Sequence, residues 1–560
     1  MLSARETSQP TTAPLAPAPL RPLEVTAIVA LTLVAAWMRL RHIGVLSQSG
    51  DEGFTYLAVR GVLEHGIPRL PSGAVYWKSL LYTYLATAAV APAGIASAHV
   101  DALLRLPAAI ASTALVPALW WTGRRIFSPA VGVAAGAIIA VHVWQVEMSR
   151  YARYYPVLQL ALVGFVERFH AVHVRDDPRA RSAMLVCFAA ALATHTIALT
   201  FLLLYVPLVA LRGPRLVRDR GHLAELATVT ALALAWLAFE SRWEVGFVHR
   251  PSGGAFGAVS ALTKGLSRWS GQFFRWLPVL VPSLVGMIAV AGPLWALASV
   301  APAARRGGPR GGGSALALGA TLVLGIAVLG FGAAHAVPRY LFHLLPFGVV
   351  LAVAVMAGLG GALGAWFRSG RGADFGALAG ALVAGTLGIA DAHVGDAWRV
   401  ADRTHADRVE DGRYLPSIEV LFTWDMAGTG RYVADHRVPE DRVLGTHPIF
   451  TFGYTGRLDG WIWRANPALW DAFHDGADGR LVDNYIGAPV IRTLSELRAE
   501  LARPGRVWIV TTPSLGVAAH VDPAIARFLA DHAEARVFAG RDGVSAVYRF
   551  ERPAPASVTG

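Results

Sequence analysis

An acidic pair, Asp51-Glu52, opens an amphipathic segment, and Lys78 follows it about one loop later. Lys78 is one of only two lysines among 50 basic residues. A carboxylate and a cation held on one side of a membrane suit a reaction on a lipid-borne phosphate. The carboxylate can take a proton from an attacking hydroxyl. The cation can meet charge that develops on a departing phosphate. Further candidates lie in short segments elsewhere. Arg150, Arg153 and Tyr154 sit in SRYARYYP, and Arg339 and Tyr340 in VPRYLFHLLP. His195 sits in Thr194-His195-Thr196, and Tyr76 and Tyr82 flank Lys78. Each has a plainer reading. Asp51 and Glu52 can cap the helix that follows, because its dipole favours acid at the N-terminus. The arginines can anchor helices at the interface. His195 can be a hydrogen-bonded polar cap at a helix tip.

The elements that must carry these residues are membrane helices. The chain has 560 residues, 54% hydrophobic and 16% charged, where soluble domains run nearer a quarter charged. Apolar runs of about 18 or more residues recur through the first 395. The net charge of +12 resembles a nucleic-acid signal. The arginines, however, gather in short loops between apolar runs, which is membrane orientation, and no nucleic-acid partner is expected. The single Cys187 lies in an apolar run and forms no intrachain disulfide.

Candidate spans run roughly over 22–40, 103–122, 129–146, 154–172, 183–211, 222–240, 273–300, 314–333, 341–366 and 374–394. Clusters at Arg124/Arg125, Arg175/Arg179/Arg181, Arg212/Arg215/Arg218/Arg220, Arg305/Arg306/Arg310 and Arg368/Arg371 then lie inside. That bookkeeping makes 79–98 a helix lying at the outer interface and splits 183–211 into two short helices with His195 at their outer tip. The expectation is an α-helical polytopic protein of about 11 spans. Residues 1–21 form a disordered inner tail and 22–395 the bundle. Residues 396–560 form a small α/β domain outside. Thr493-Leu-Ser-Glu496 is a capping box, Asp522-Pro523 a helix start, and 442–446, 506–512 and 544–550 are strands. The run 470–480 reads as a solvated loop. On this topology Asp51, Glu52, Lys78, Arg105, Glu147, Arg150, Arg153, Tyr154, His195, the 241–272 loop, Arg339 and Tyr340 share the outer side.

The acidic pair, its amphipathic helix and GIPRLPSGAVYWKSLLY together resemble the first outer loop of the GT-C glycosyltransferases. The resemblance is strongest to the protein O-mannosyltransferases and the lipid A aminoarabinose transferases. SRYARYYP and PRYLFHLLP resemble later segments of that family, in the same order. The resemblance covers about 22–395 and implies a bundle with interfacial helices in its first outer loop. It implies a polyprenyl-monophosphate sugar as donor. It places Asp51 at the catalytic acidic position and Lys78, with Arg339, at the donor phosphate. One departure concerns metal. The aminoarabinose transferases carry a Glu before this Lys, and here that residue is Trp77.

The expected function is therefore inverting sugar transfer to an acceptor hydroxyl on the outer face of a bacterial cytoplasmic membrane. Asp51 and Glu52 are the catalytic candidates. Lys78, Arg150, Arg153, Arg339 and Tyr340 are the phosphate-binding ones. Tyr76, Tyr82, Tyr154 and His195 line the substrate pocket. A glycan, a lipid or a protein can be the acceptor, and no cofactor is required. A divalent metal is optional, and no metal ligands are assigned. The alternative is a transporter or flippase of a lipid-linked sugar that uses the same groove and cations. A receptor anchored by the bundle is the third reading.

Overall fold

The structure is a computed structural model. It describes residues 20–212, 219–243, 281–295, 312–332, 338–367, 371–405, 424–465, 473–476 and 479–552. The expected tail 1–21 and loop 241–272 lie almost wholly outside these residues. So do Arg215, Arg218, Arg305, Arg306, Arg310, Arg368 and much of the candidate span 273–300.

Eight helices build the part of the bundle that matters for the site: α1 (Pro22–Leu40), α2 (Glu52–His65), α3 (Leu80–Val90), α4 (Val100–Ile126), α5 (Pro129–Val141), α6 (Val143–Ser149), α7 (Tyr155–His173) and α8 (Arg181–Thr194). Among the described residues five helices are long and apolar enough to cross a membrane, or six if the bent pair α5–α6 is one span. The chain is a multi-pass membrane protein. At about 1.5 Å per residue the 11 residues of α3 reach only about half of a hydrocarbon core of about 30 Å, so α3 does not cross it. The stretch expected as one span over 129–146 is two helices bent by 60° at His142. The stretch 183–211 breaks at His195, between α8 and a 3-10 helix, Thr196–Leu204.

Buried arginines make the bend after α5 and the end of α1 tolerable. A helix end leaves carbonyls without partners, and in an apolar interior each is costly. Arg39, fully buried on α1, donates to the Ile139 and Ala140 carbonyls at the end of α5, at 2.9 and 2.8 Å. Arg150 donates to the Arg41 and His42 carbonyls at the end of α1. A different device joins helices Leu345–Phe367 and Arg371–Asp391. Gly360 and Gly364 face Gly376 and Gly372 so closely that a Cβ on Gly364 would collide with the Gly372 carbonyl. Only glycine lets the two backbones meet there.

The C-terminal stretch forms a sheet in the order β5-β2-β1-β6-β8-β7. Its strands are β1 (Arg442–Gly445), β2 (Gly460–Ile462), β5 (Val490–Ile491), β6 (Gly505–Thr511), β7 (Arg536–Ala539) and β8 (Ala546–Arg552). The pairs β1–β2, β1–β6 and β2–β5 are parallel, and β6–β8 and β7–β8 are antiparallel. Parallel neighbours need crossovers. Helix Pro448–Thr455 supplies the one between β1 and β2, and Leu494–Ala502 carries the chain from β5 across to β6. Thr493 caps the second by accepting from the Glu496 N–H, and Asp522 caps Pro523–Asp531. The run 470–480 is partly strand: β3 (Phe473–Asp475) pairs antiparallel with β4 (Leu481–Asp483). The hairpin buries one side of Phe473 beneath Trp461 and Trp463. A loop reading misses this because it counts polar residues rather than that contact.

The sheet domain is seated on the bundle. Ile449 packs into the bundle core. Tyr454 Oη accepts from the Gln48 N–H and donates to the buried Asp101 carboxylate, at 2.7 and 3.1 Å.

Candidate active site

The chain turns from α1 into α2 through Ser47–Asp51, and two adjacent carboxylates point different ways there. Glu52 is fully buried and meets Arg105 of α4 in a two-pronged ion pair, with Nε to Oε1 and Nη2 to Oε2 both at 2.7 Å. The remaining Arg105 donors reach the carbonyls of Ile43, Leu46 and Ser47. Glu52 also accepts from the Ser49 and Ala152 N–H groups, at 2.9 and 2.6 Å. Both charges are saturated, as buried charges must be. The expectation that Glu52 shares a catalytic role is not met by this geometry. Glu52 lies outside the cavity and braces three segments against one another.

Asp51 is the opposite case. It stands at the N-cap of α2, yet its side chain makes no capping hydrogen bond. Its N–H donates to Tyr151 Oη at 2.9 Å, and its carboxylate side chain lines a cavity. That carboxylate lies 3.7 Å from Arg153 Nη2 and 3.5 Å from Arg339 Nη2. Arg153 is held in turn by Tyr76 Oη at 2.9 Å and lies over the Tyr154 ring. SRYAR therefore serves as a lining strap. The Thr55 hydroxyl donates to the Ala152 carbonyl at 2.9 Å and fastens the strap to α2.

Asp51, Arg153 and Arg339 open into a cavity of about 190 Å³. Tyr76, Trp77, Lys78, Tyr154, Tyr155, His195 and Tyr340 line it, with Phe54, Val75 and Tyr485. Burial pushes the Asp51 pKa up, but the charges of Arg153, Arg339 and Lys78 outweigh it, and the net shift is downward. Asp51 is thus an anion at neutral pH. His195 stacks on Tyr154 and accepts the Ile197 N–H at Nδ1, at 3.1 Å. Burial, Arg153 and Lys78 hold its pKa down at about 3. The neutral ring then carries its proton on Nε2.

Most residues singled out from sequence converge: Asp51, Lys78, Arg153, Arg339, Tyr340, Tyr76, Tyr154 and His195. Two besides Glu52 do not. Arg150 caps α1, and Tyr82 is buried with its hydroxyl donating to the Leu104 carbonyl at 2.8 Å. Phe54, Tyr155 and Tyr485 were not foreseen. Phe54 had a readable signal, being one helical turn beyond Asp51 on α2. Tyr485, 434 residues beyond Asp51, had none. As a metal site the cavity fits poorly. Asp51 is the only carboxylate among its described lining residues, and Trp77 occupies the position before Lys78.

The bundle, the first loop with its short helices and the appended sheet define the class: the chain has the GT-C glycosyltransferase fold. It aligns with ArnT from Cupriavidus metallidurans bound to undecaprenyl phosphate at TM-score 0.56 and 14% identity, over 96% of this chain and 99% of that one. The apo state of the same protein gives 0.54 and 14%, over 94% and 97%. The archaeal oligosaccharyltransferase AglB from Archaeoglobus fulgidus, in complex with an inhibitory peptide and a dolichol-phosphate, gives 0.51 and 12%, over 87% and 69%. At these identities the likeness is one of fold. No protein-family model and no curated protein matches the chain.

Proposed function

We propose that this protein is an inverting membrane glycosyltransferase that moves a sugar from a polyprenyl-phosphate donor to an acceptor hydroxyl on the extracytoplasmic face. The observation that carries the reading is the uncapped Asp51 carboxylate, set between Arg153 and Arg339 in a cavity that also contains Lys78. Two structures of this fold, named above, contain undecaprenyl phosphate and dolichol-phosphate.

The charges balance through the step. The donor is a phosphodiester with one negative charge. The acceptor oxygen attacks C1 and forms the new glycosidic bond, and the C1–O bond to phosphorus breaks. Its electron pair goes to the phosphate oxygen, so the leaving lipid phosphate gains a charge. The acceptor proton passes to Asp51, which loses one. Neutralising Asp51 frees Arg153 and Arg339 to face the phosphate as its charge grows, beside Lys78. His195 Nε2–H is a further donor toward that charge. Once Asp51 is protonated, the three cations Arg153, Arg339 and Lys78 face the leaving dianion. The acceptor class is a glycan, a lipid or a protein hydroxyl, and the membrane is the bacterial cytoplasmic one.

The test is Asp51→Asn in purified protein, with radiolabelled polyprenyl-phosphate sugar and a membrane extract as acceptor source. Transfer should fall by about 10²–10⁴-fold. Full transfer by the variant would end the assignment of Asp51 as base. Sugar-lipid movement across vesicles with no glycosidic product would favour a flippase instead.

A further inference from the structure

One wall of the cavity comes from the sheet domain. Strand β4 ends at Asp483, which is fully buried. Its Oδ1 accepts the N–H groups of Tyr485 and Ile486 at 2.9 and 2.8 Å, and its Oδ2 accepts that of Ala488 at 2.8 Å. Gly487 completes the turn at φ +84°, a conformation that side chains disfavour. The turn is stapled to the loop between α2 and α3. Ser72 N–H donates to the Tyr485 carbonyl at 3.1 Å, and Ser72 Oγ donates to the Asn484 carbonyl at 2.7 Å. The Tyr485 ring meets Phe54 with centroids 4.6 Å apart and planes tilted by 55°. Phe54 in turn lies parallel to Tyr76, within 8° and at 6.1 Å. All three rings line the cavity.

The geometry points to a sugar platform: we propose that Tyr485, with Phe54 and Tyr76, receives the C–H face of the donor's pyranose, and that Asp483 positions Tyr485. This rests on the function proposed above. An aromatic face carries negative quadrupole charge, and the axial C–H groups of a pyranose are slightly positive, so the two pack face to face. The choice of the donor sugar over the acceptor follows from the backbone. Phe54 lies one turn beyond Asp51, and Tyr76 lies two residues before Lys78. The platform therefore shares both chain segments with the phosphate-facing charges. The sugar one bond from the phosphate must lie within their reach. The sheet domain thereby becomes part of the donor site.

Equilibrium binding to the full-length protein in nanodiscs tests this. The probes are undecaprenyl phosphate alone and undecaprenyl-phosphate-linked glucose, mannose and galactose. Wild type should bind at least one hexosyl lipid more tightly than the bare lipid. Tyr485→Leu keeps apolar bulk against Phe54 but loses the flat ring. It should lose that preference by about tenfold while its affinity for undecaprenyl phosphate stays within about twofold. Tyr485→Phe should restore the preference, because the ring and not the hydroxyl makes the contact. Equal losses for bare and hexosyl lipids, or no loss for either, would overturn the platform. So would a wild type that binds the bare lipid and prefers no hexosyl lipid. A wild type that binds neither kind of lipid would overturn the proposed function itself, and the platform with it.

Discussion

Glu52→Gln separates the two adjacent carboxylates by what they do. Oε1 of Glu52 accepts from Arg105 Nε and Ala152 N, and Oε2 accepts from Arg105 Nη2 and from the Ser49 N–H and hydroxyl. An amide has one accepting oxygen, so whichever way Gln turns, at least two donors face its NH₂. The Arg105 charge is also left unmatched, and Arg105 is only 1% exposed. Removing one partner of a buried ion pair costs about 3–5 kcal/mol. The Asp51 carboxylate is 26% exposed, and its partners stand at 3.5 and 3.7 Å. An ion pair of that kind contributes about 0–1 kcal/mol. The assay is thermal unfolding followed by intrinsic fluorescence, for which the chain carries 17 tryptophans. The midpoint should fall by on the order of 5 °C for Glu52→Gln and by about 1 °C for Asp51→Asn. Sugar transfer should show the reverse order once each variant is corrected for folded protein. A Glu52→Gln variant as stable as wild type, or an Asp51→Asn variant that falls as far, would refute the division of roles.

The pH dependence of transfer should carry the signature of the cations. Arg153, Arg339 and Lys78 together hold the Asp51 pKa below the ordinary carboxylate range despite burial. The base form therefore exists above that lowered pKa and is lost as pH falls through it. Lys78→Ala removes one cation, so the acid limb of residual kcat/KM should move to higher pH, and an unmoved or downward-shifted limb would contradict the coupling. In the bundle, Gly364→Ala should sharply reduce folded yield in detergent, because its Cβ would meet the Gly372 carbonyl. Gly325→Ala, with nothing within 4 Å, should be neutral or slightly stabilising, and equal yields for the two variants would contradict the close approach.

Much of the site was readable because charge near a membrane is expensive. Asp51, Lys78, Arg153 and Arg339 stood out as groups that hydrophobic burial cannot explain. What the residues alone could not decide was direction. Asp51 and Glu52 are neighbours of the same chemical type, and only the position of Arg105 in the fold assigns them different work. Arg150 and Arg153 lie in one short strap, and Arg150 is claimed by carbonyls at the end of α1. Those carbonyls are orphaned by a helix end, and no local pattern marks where Arg150 will find them. The break at His195 was legible from the basic loops on both sides of 183–211, but the bend at His142 was hidden for a related reason. Each histidine accepts an N–H two residues on, and buried arginine makes the break after α5 affordable inside an apolar run. Of the C-terminal elements, helices Leu494–Ala502 and Pro523–Asp531 were legible from their caps and strands β1, β6 and β8 from their β-rich runs. Their seat on the bundle, through Ile449 and Tyr454, was not.

The staple between Ser72 and the Asn484–Tyr485 turn also has a consequence in time. A ribosome makes Asp51, Lys78 and Arg153 early, Arg339 midway and Tyr485 near the end. The charged half of the cavity can assemble while the chain is still emerging, but its aromatic wall waits for a turn that arrives hundreds of residues later. On the proposals made above, a nascent chain would hold the phosphate-facing charges before it held Tyr485, the last of the cavity's lining residues to be made.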